Sequence, residues 1–178
     1  PYFLPYIGYF QLINAVDVYV IYDDVNFIKG GWINRNRILL NNTEYMLNIP
    51  MLGASSQKKI NEIGISNERK KVLQTIEYSY KRAPYFSDTF DLISDIVNFE
   101  TEKLSVFLKN SLIKVSEHIQ IKTSFILSSE LDKNNTLHGE DKVINICKVL
   151  GAKKYYNAIG GYELYDKTHF EVNNIELY

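Results

Sequence analysis

Hydrophobic positions recur along this chain at two spacings, and the changes from one spacing to the other mark its elements. After the prolines of PYFLPYIGYFQLINAV, Ile7, Phe10 and Ile13 fall at helical spacing and Pro5 suits a first turn, so a short helix is predicted near 6–15. Residues 17–22, DVYVIY, are β-branched and aromatic, which is the composition of a buried strand. The runs 36–40 (NRILL) and 44–49 (EYMLNI) flank Asn41-Asn42-Thr43 and read as a hairpin closed by Pro50. A short strand is expected at 61–65 after the polar loop 51–60. Helical spacing returns over 67–82, with Val72, Ile76 and Tyr80 on one face and Asn67 as cap, and again over 87–118 as one long helix or two.

Residues 123–127 (TSFIL) read as a strand. The segment 139–150 reads as an amphipathic helix stopped by Gly151, and 153–158 (KKYYNA) as a further strand. The final FEVNNIELY, 170–178, contains one more. Strands that alternate with helices imply an α/β fold with a mainly parallel sheet and helices on its faces, a Rossmann-like layering, to which the 36–49 hairpin is an antiparallel addition. There is no internal repeat and no linker, so residues 1–178 read as a single domain.

Bulk properties narrow the function classes. Twenty basic residues against 21 acidic ones give a net charge of −1, which offers no electrostatic footprint for nucleic acid. No apolar run approaches the ~20 residues that span a bilayer. One cysteine, Cys147, excludes an internal disulfide and fits a reducing, cytoplasmic setting. Fourteen tyrosines are unusual; they suit half-buried pocket walls, although a coding bias that also enriches Asn, Ile and Lys gives the same count. His118, His138 and His169 show no metal-ligand spacing among themselves or with Cys147, and the residues name no cofactor.

Candidate chemistry gathers after the first long strand. Asp23 and Asp24 stand at its carboxyl end, where ligands bind in open α/β sheets, and Lys29, Trp32, Asn34, Arg35, Asn36 and Arg37 follow. A strand-end carboxylate holds a sugar hydroxyl, a metal or a transferred proton; arginines grip phosphate; a lone Trp stacks on a ring. Alternation puts Asn34 and Asn36 on one face and Arg35 and Arg37 on the other. The plain alternative is a solvated turn laced with salt bridges. Three further segments compete for the pocket: Tyr6, Gly8 and Tyr9 near a helix start, Ser128 and Ser129 after a strand, and Asn157 with Gly160 and Gly161 after another. A serine nucleophile is disfavoured because the flanking glycines of a nucleophile elbow are missing.

The opening string, with Tyr2, Pro5, Gly8, Tyr9 and Phe10, then Asp17, Asp23-Asp24, Lys29, Trp32 and Asn34 to Ile38, resembles the start of the WbqC-like protein family. Ser128-Ser129, Gly151-Ala152, Tyr156 and Gly160-Gly161 match later family features, so the resemblance covers nearly the whole chain. Family members usually open with a short strand ending in Gln-Pro and carry a later His-Pro-x-Tyr-x-Gln pattern. Neither is present, so the resemblance implies a domain shortened at both ends. It further implies a bacterial protein of surface polysaccharide or O-antigen synthesis. Two readings follow. In the first, an enzyme acts on a nucleotide-activated sugar or another phosphate-bearing small molecule: Arg35 and Arg37 bind phosphate, Trp32 stacks, and Asp23, Asp24 or Lys29 does the chemistry. In the second, a non-catalytic sugar-binding or assembly protein serves the same pathway. Whether the chain forms a homo-oligomer is left open by the sequence.

Overall fold

The β-branched run after Asp17 forms β1 (Val18–Ile21), preceded by helix α1 (Ile7–Asn14). The computed structural model describes the backbone of residues 1–178 and every side chain except those of Ile159 and Tyr162. The expected hairpin is β2 (Arg35–Leu40) and β3 (Thr43–Asn48), antiparallel, with Arg35 opposite Asn48 and Leu40 opposite Thr43. Asn41 and Asn42 take positive φ values of 51° and 60°, the left-handed geometry that a two-residue hairpin turn needs.

The polar loop beyond Pro50 contains an unexpected strand, β4 (Met51–Leu52), paired with β5 (Gly64–Ile65). Of the strand expected at 61–65, Gly64–Ile65 forms as β5, while Asn61 and Glu62 belong to a 3-10 turn, Ile60–Glu62. Three helices follow: α2 (Lys70–Tyr80), α3 (Phe86–Asn98) and α4 (Leu104–His118). The long helical stretch is therefore two helices. Asn67 caps nothing: the position ahead of α2 is Arg69, whose buried guanidinium carbon lies 5.3 Å from the Phe107 ring centroid. The remainder is β6 (Ser124–Leu127), α5 (Gly139–Val149), β7 (Lys154–Tyr155), α6 (Lys167–Val172) and β8 (Glu176–Leu177). The last strand, β8, falls inside the 170–178 segment as expected, and residues 170–172 belong to α6, which Asp166 caps by accepting from Thr168 N at 2.9 Å.

The sheet differs from the sequence expectation. Among the described residues the strands form four two-stranded sheets, and no continuous parallel sheet appears. β1–β6 and β7–β8 are parallel; β2–β3 and β4–β5 are antiparallel. The physical reason is visible at one edge of each parallel pair, where β1 and β7 border an open cleft instead of bonding to another strand.

Three apolar clusters hold the elements. The largest joins Phe3, the hairpin and α2 to α4, with the Phe3 and Phe107 rings stacked at 5.8 Å. A second unites α1, β1, β6 and α4 through Phe10, Ile13, Ile21, Leu112 and Leu127. The third is α5, α6, β7 and β8 around Phe170 and Ile175. α4 contributes to two of them, and its Leu104, Leu108 and Leu112 are fully buried. Truncating such a leucine to alanine costs roughly 2–5 kcal/mol. No helix among the described residues is long and apolar enough to cross a membrane.

The amino-terminal strip is pinned to the hairpin by polar contacts. Phe3 N donates to Ile33 O at 3.1 Å. Asn36 Nδ2 donates to Leu4 O at 2.5 Å and Phe3 O at 3.3 Å. These bonds brace Leu4, which sits at φ 44°, a conformation costly for a residue with a Cβ. Asn36→Ala is expected to lower the free energy of unfolding by roughly 1–2 kcal/mol, read as a lower urea midpoint at unchanged slope. An unchanged midpoint would assign the turn to Phe3 burial and Pro5 alone.

Candidate functional site

The carboxyl ends of β1 and β6 lie side by side because the two strands pair in register, Ile21 with Leu127. The residues that follow each strand therefore meet. Asp23 is fully buried. Its carboxylate accepts from Ser129 N at 2.9 Å through one oxygen and from Ser129 Oγ at 2.8 Å through the other. Ser129 is the middle residue of a 3-10 turn, Ser128–Glu130, that closes β6. The sequence placed Asp23 and Ser129 in separate candidate segments; the structure joins them across 106 residues.

Asp24 is also buried, and it faces two cations. Lys133 Nζ lies 3.0 Å and Lys142 Nζ 2.9 Å from Asp24 Oδ2. Lys133 Nζ also donates to Ser128 O, and Lys142 Nζ to Asp24 O at 3.3 Å. Burial pushes the Asp24 pKa up, but the contacts from Lys142, Ser128 and Lys133 outweigh it and hold the carboxyl down at about 2. The lysine contacts dominate, since neither Ser128 Oγ nor Asp24 Oδ1 completes a well-formed hydrogen bond. Four ionisable side chains thus leave water together, two acids and two lysines.

Sequence reasoning missed Lys133 and Lys142. A signal for Lys142 existed: it falls on the buried side of α5, next to Val143 and four residues before Ile146. A lysine on an apolar helix face needs a partner. Lys133 gives no such sign, since it lies in a polar loop.

A second feature stands at the surface. The Trp32 ring, 41% exposed, carries the guanidinium carbons of Arg35 and Arg37 at 5.9 and 5.1 Å from its centroid. Both arginines sit on one side, as strand alternation required. Tyr2 abuts the ring at 6.2 Å and joins it to Tyr9 at 6.0 Å and, through Tyr9, to Tyr19. Arg35 Nε donates to Gly31 O at 2.8 Å, and Arg37 pairs with exposed Glu44 at 3.4 Å. Asn34 is buried and donates to Ile49 O, a brace for the hairpin. Lys29 is exposed and has no ion pair among the described residues. Tyr6 is exposed, and its ring lies where a Cβ on Gly8 would fall, 2.3 Å away.

The third feature is the turn after β7. Asn157 Nδ2 donates to Gly161 O at 3.2 Å, and its Oδ1 accepts from Ala158 N at 3.0 Å. A side chain on Gly161 would strike Asn157, whereas Gly160 meets nothing. This turn makes no direct hydrogen bond to Asp23 or Asp24 among those of the described residues. It shares with Tyr22 the walls of a cleft of about 670 Å³. Lys142 Nζ lies 4.9 Å from the Tyr22 ring centroid, so the buried ion cluster stands one ring away from that cleft. Burial, with Asp24 adding to it, raises the Tyr22 pKa to about 12, which keeps the phenol neutral. A separate apolar cavity of about 390 Å³ opens between the hairpin, α2 and α3, walled by Ile38, Leu47, Ile76, Tyr80 and Phe90.

Removing the central carboxylate exposes what it does. Asp24→Ala leaves two buried ammoniums facing each other and should destabilise the fold by roughly 3–5 kcal/mol; adding Lys133→Met and Lys142→Met should return most of that loss. The pH dependence has a fixed sign. The folded pKa of Asp24 lies below the ordinary carboxyl value, so its stabilisation is complete above about pH 4 and fades as pH falls toward about 2. Urea titrations across that window should show a shallower acid loss in the triple variant than in the natural sequence.

The profile of the WbqC-like protein family matches residues 1–178. An uncharacterized protein of Mycobacterium tuberculosis, Rv1507c, is 26% identical over 179 residues, covering 98% of this chain and 77% of that protein. No solved structure matches the chain significantly. With its full length matched, and with the Asp23-Asp24, Trp32, Asn34–Arg37 and Ser128-Ser129 features in place, the chain belongs to the WbqC-like protein family.

Proposed function

We propose that this protein binds a nucleotide-activated sugar, or a related phosphate-bearing small molecule, at the carboxyl ends of β1 and β6, and modifies or transfers a group on it in bacterial surface polysaccharide synthesis. The observation that carries the reading is the buried quartet of Asp23, Asp24, Lys133 and Lys142. Desolvating four ionisable groups costs several kcal/mol that a packed apolar core would avoid, and such clusters collect at functional sites. Their position fits, since ligands of open α/β folds lie beyond strand carboxyl ends.

Roles follow from position. Asp23 is fully buried and held through both oxygens by Ser129, so it becomes a base for a sugar hydroxyl only if ligand binding displaces Ser129 from it. Lys133 and Lys142 supply positive potential beneath the cleft. Arg35, Arg37, Trp32 and Tyr2 form a cationic aromatic rim, whose exposed Trp32 ring and Arg37 guanidinium suit a base and its phosphates. The second reading, a non-catalytic binding or assembly protein, draws on the neutralised state of these charges: Asp24 is matched by two lysines and Arg37 by Glu44.

A thermal-shift screen against nucleotide sugars at millimolar concentration should find at least one that raises Tm by a few degrees. Arg37→Ala should remove most of that rise while changing basal stability by less than about 0.5 kcal/mol, because the side chain is exposed. Asp23→Asn should leave binding measurable but abolish turnover. Binding without turnover in the natural protein would select the second reading, and no shift with any nucleotide sugar would discard the first.

A further inference from the structure

The turn between Phe27 and Ile33 exposes what its flanks bury. Phe27 and Ile33 both belong to the largest apolar cluster. Phe27 N donates to Lys58 O at 2.9 Å, and Ile33 O accepts from Phe3 N at 3.1 Å, so both ends of the turn are fastened to the body of the fold. Between them Ile28 is 67% exposed and Trp32 41%. Gly31 N donates to Ile28 O at 2.9 Å, which closes a β-turn. Gly30 takes φ 83° at the third position, where a type II turn calls for glycine. Lys29 stands at the tip and is exposed. The result is an anchored projection that carries an aliphatic side chain, an ammonium and an indole into solvent.

The apolar surface continues sideways, from Trp32 to Tyr2 at 6.2 Å and on to Tyr6, which is exposed and within electrostatic reach of the Tyr2 hydroxyl. Exposed apolar residues scattered singly are ordinary, but joined ones mark contact with another molecule or a membrane. Charge and shape choose between these. Lys29 and Arg35 have no ion pair among the described residues, and Arg37 has Glu44 alone. The adjoining strip adds exposed Lys58 and Lys59 against one carboxylate, Glu62, which accepts from Lys59 N at 2.6 Å. The surroundings of the turn are therefore cationic, although the whole chain carries −1. A second copy docked through a two-fold axis would set these cations against one another. Neither the cleft nor the apolar cavity is lined by Ile28, Lys29 or Trp32, and a few projecting side chains fall short of the roughly 800 Å² per partner of a stable protein interface. A lipid surface requires no such area: an aliphatic side chain enters it, an indole settles at headgroup level and cations meet anionic headgroups.

We propose that the Ile28–Trp32 turn docks this protein onto an anionic lipid surface. Ile28 enters the interface, Trp32 lies among the headgroups, and Lys29, with Arg35 and Arg37 behind it, meets the lipid phosphates. The contact is peripheral, since no helix among the described residues is long and apolar enough to cross a membrane. Trp32 and Arg37 are shared with the rim of the proposed ligand site, so docking also sets the distance of that rim from the lipid. Ile28 and Lys29 have no role in that site. The inference goes beyond the proposed activity, and its test uses no nucleotide sugar, so either can fail without the other.

Trp32 is the single tryptophan, so its emission reports on this contact alone. The chain is mixed with vesicles of phosphatidylcholine, pure or with about 30% phosphatidylglycerol, then sedimented. With the anionic vesicles it should co-sediment, its emission should move to shorter wavelength, and brominated acyl chains should quench it. Affinity should fall at least about tenfold for pure phosphatidylcholine, and likewise when salt is raised to about 0.5 M. Ile28→Ser with Lys29→Glu, and Lys29→Glu alone as the milder variant, should weaken vesicle binding, the pair by at least about tenfold, at an unchanged urea midpoint because both side chains are exposed. No co-sedimentation with anionic vesicles, equal binding to the pure ones, or binding that leaves the Trp32 emission unmoved would overturn the proposal. So would the same emission shift with inorganic phosphate alone, or variants that bind as the natural chain does.

Discussion

The grip of Lys133 and Lys142 on the Asp24 carboxylate is the contact on which the arrangement depends. It links three places distant in sequence: the end of β1, the loop after β6 and the first turn of α5. One residue earlier, Asp23 ties the same strand end to Ser129. Together these contacts fix how the third apolar cluster, around α5, sits against the second, around β1 and β6. Hydrophobic burial is non-directional and tolerates small slips between packed elements. Charge-assisted hydrogen bonds at 2.8–3.0 Å do not, so the polar cluster supplies the register that burial alone leaves loose.

Such a cluster is an expensive way to obtain rigidity. Apolar replacements of similar volume often match or exceed the stability of a buried ion pair. Retaining four ionisable groups at a strand end, one ring from a cleft, is the observation on which the proposed ligand site rests. The rim of Trp32 with Arg35 and Arg37 complements it from outside. Of its cations Arg37 is exposed and Arg35 half-buried, whereas those within are buried.

The elements were legible wherever one local period dominated. The hairpin follows from β-branched and apolar runs around Asn41-Asn42, and β1 and β6 from short apolar runs followed by polar turns. Strand alternation placed Arg35 and Arg37 on one side correctly, because only local geometry was involved. Sheet assembly was not legible. β7 and β8 are two residues each, too short to announce their neighbours, and the cleft beside β1 leaves no mark in the local sequence. The site was half legible. Asp23 stood out by its position after a strand, but its partner Ser129 lies 106 residues away. Asp24 looked like a free carboxylate because Lys133 and Lys142 resemble ordinary surface lysines. Asn34 and Asn36 looked like ligand contacts, yet their amides fasten backbone carbonyls of Ile49, Leu4 and Phe3, a duty that only the tertiary fold reveals.

The central claim is that ligand binds where the buried ions are and not in the apolar cavity between the hairpin and α3. Backbone amide shifts followed during titration with a nucleotide sugar separate the two most directly. The account predicts that Asp24, Ser129 and Asn157 move together along one saturable curve. Shifts confined to Ile76, Tyr80 and Phe90, or none at millimolar ligand, would contradict it.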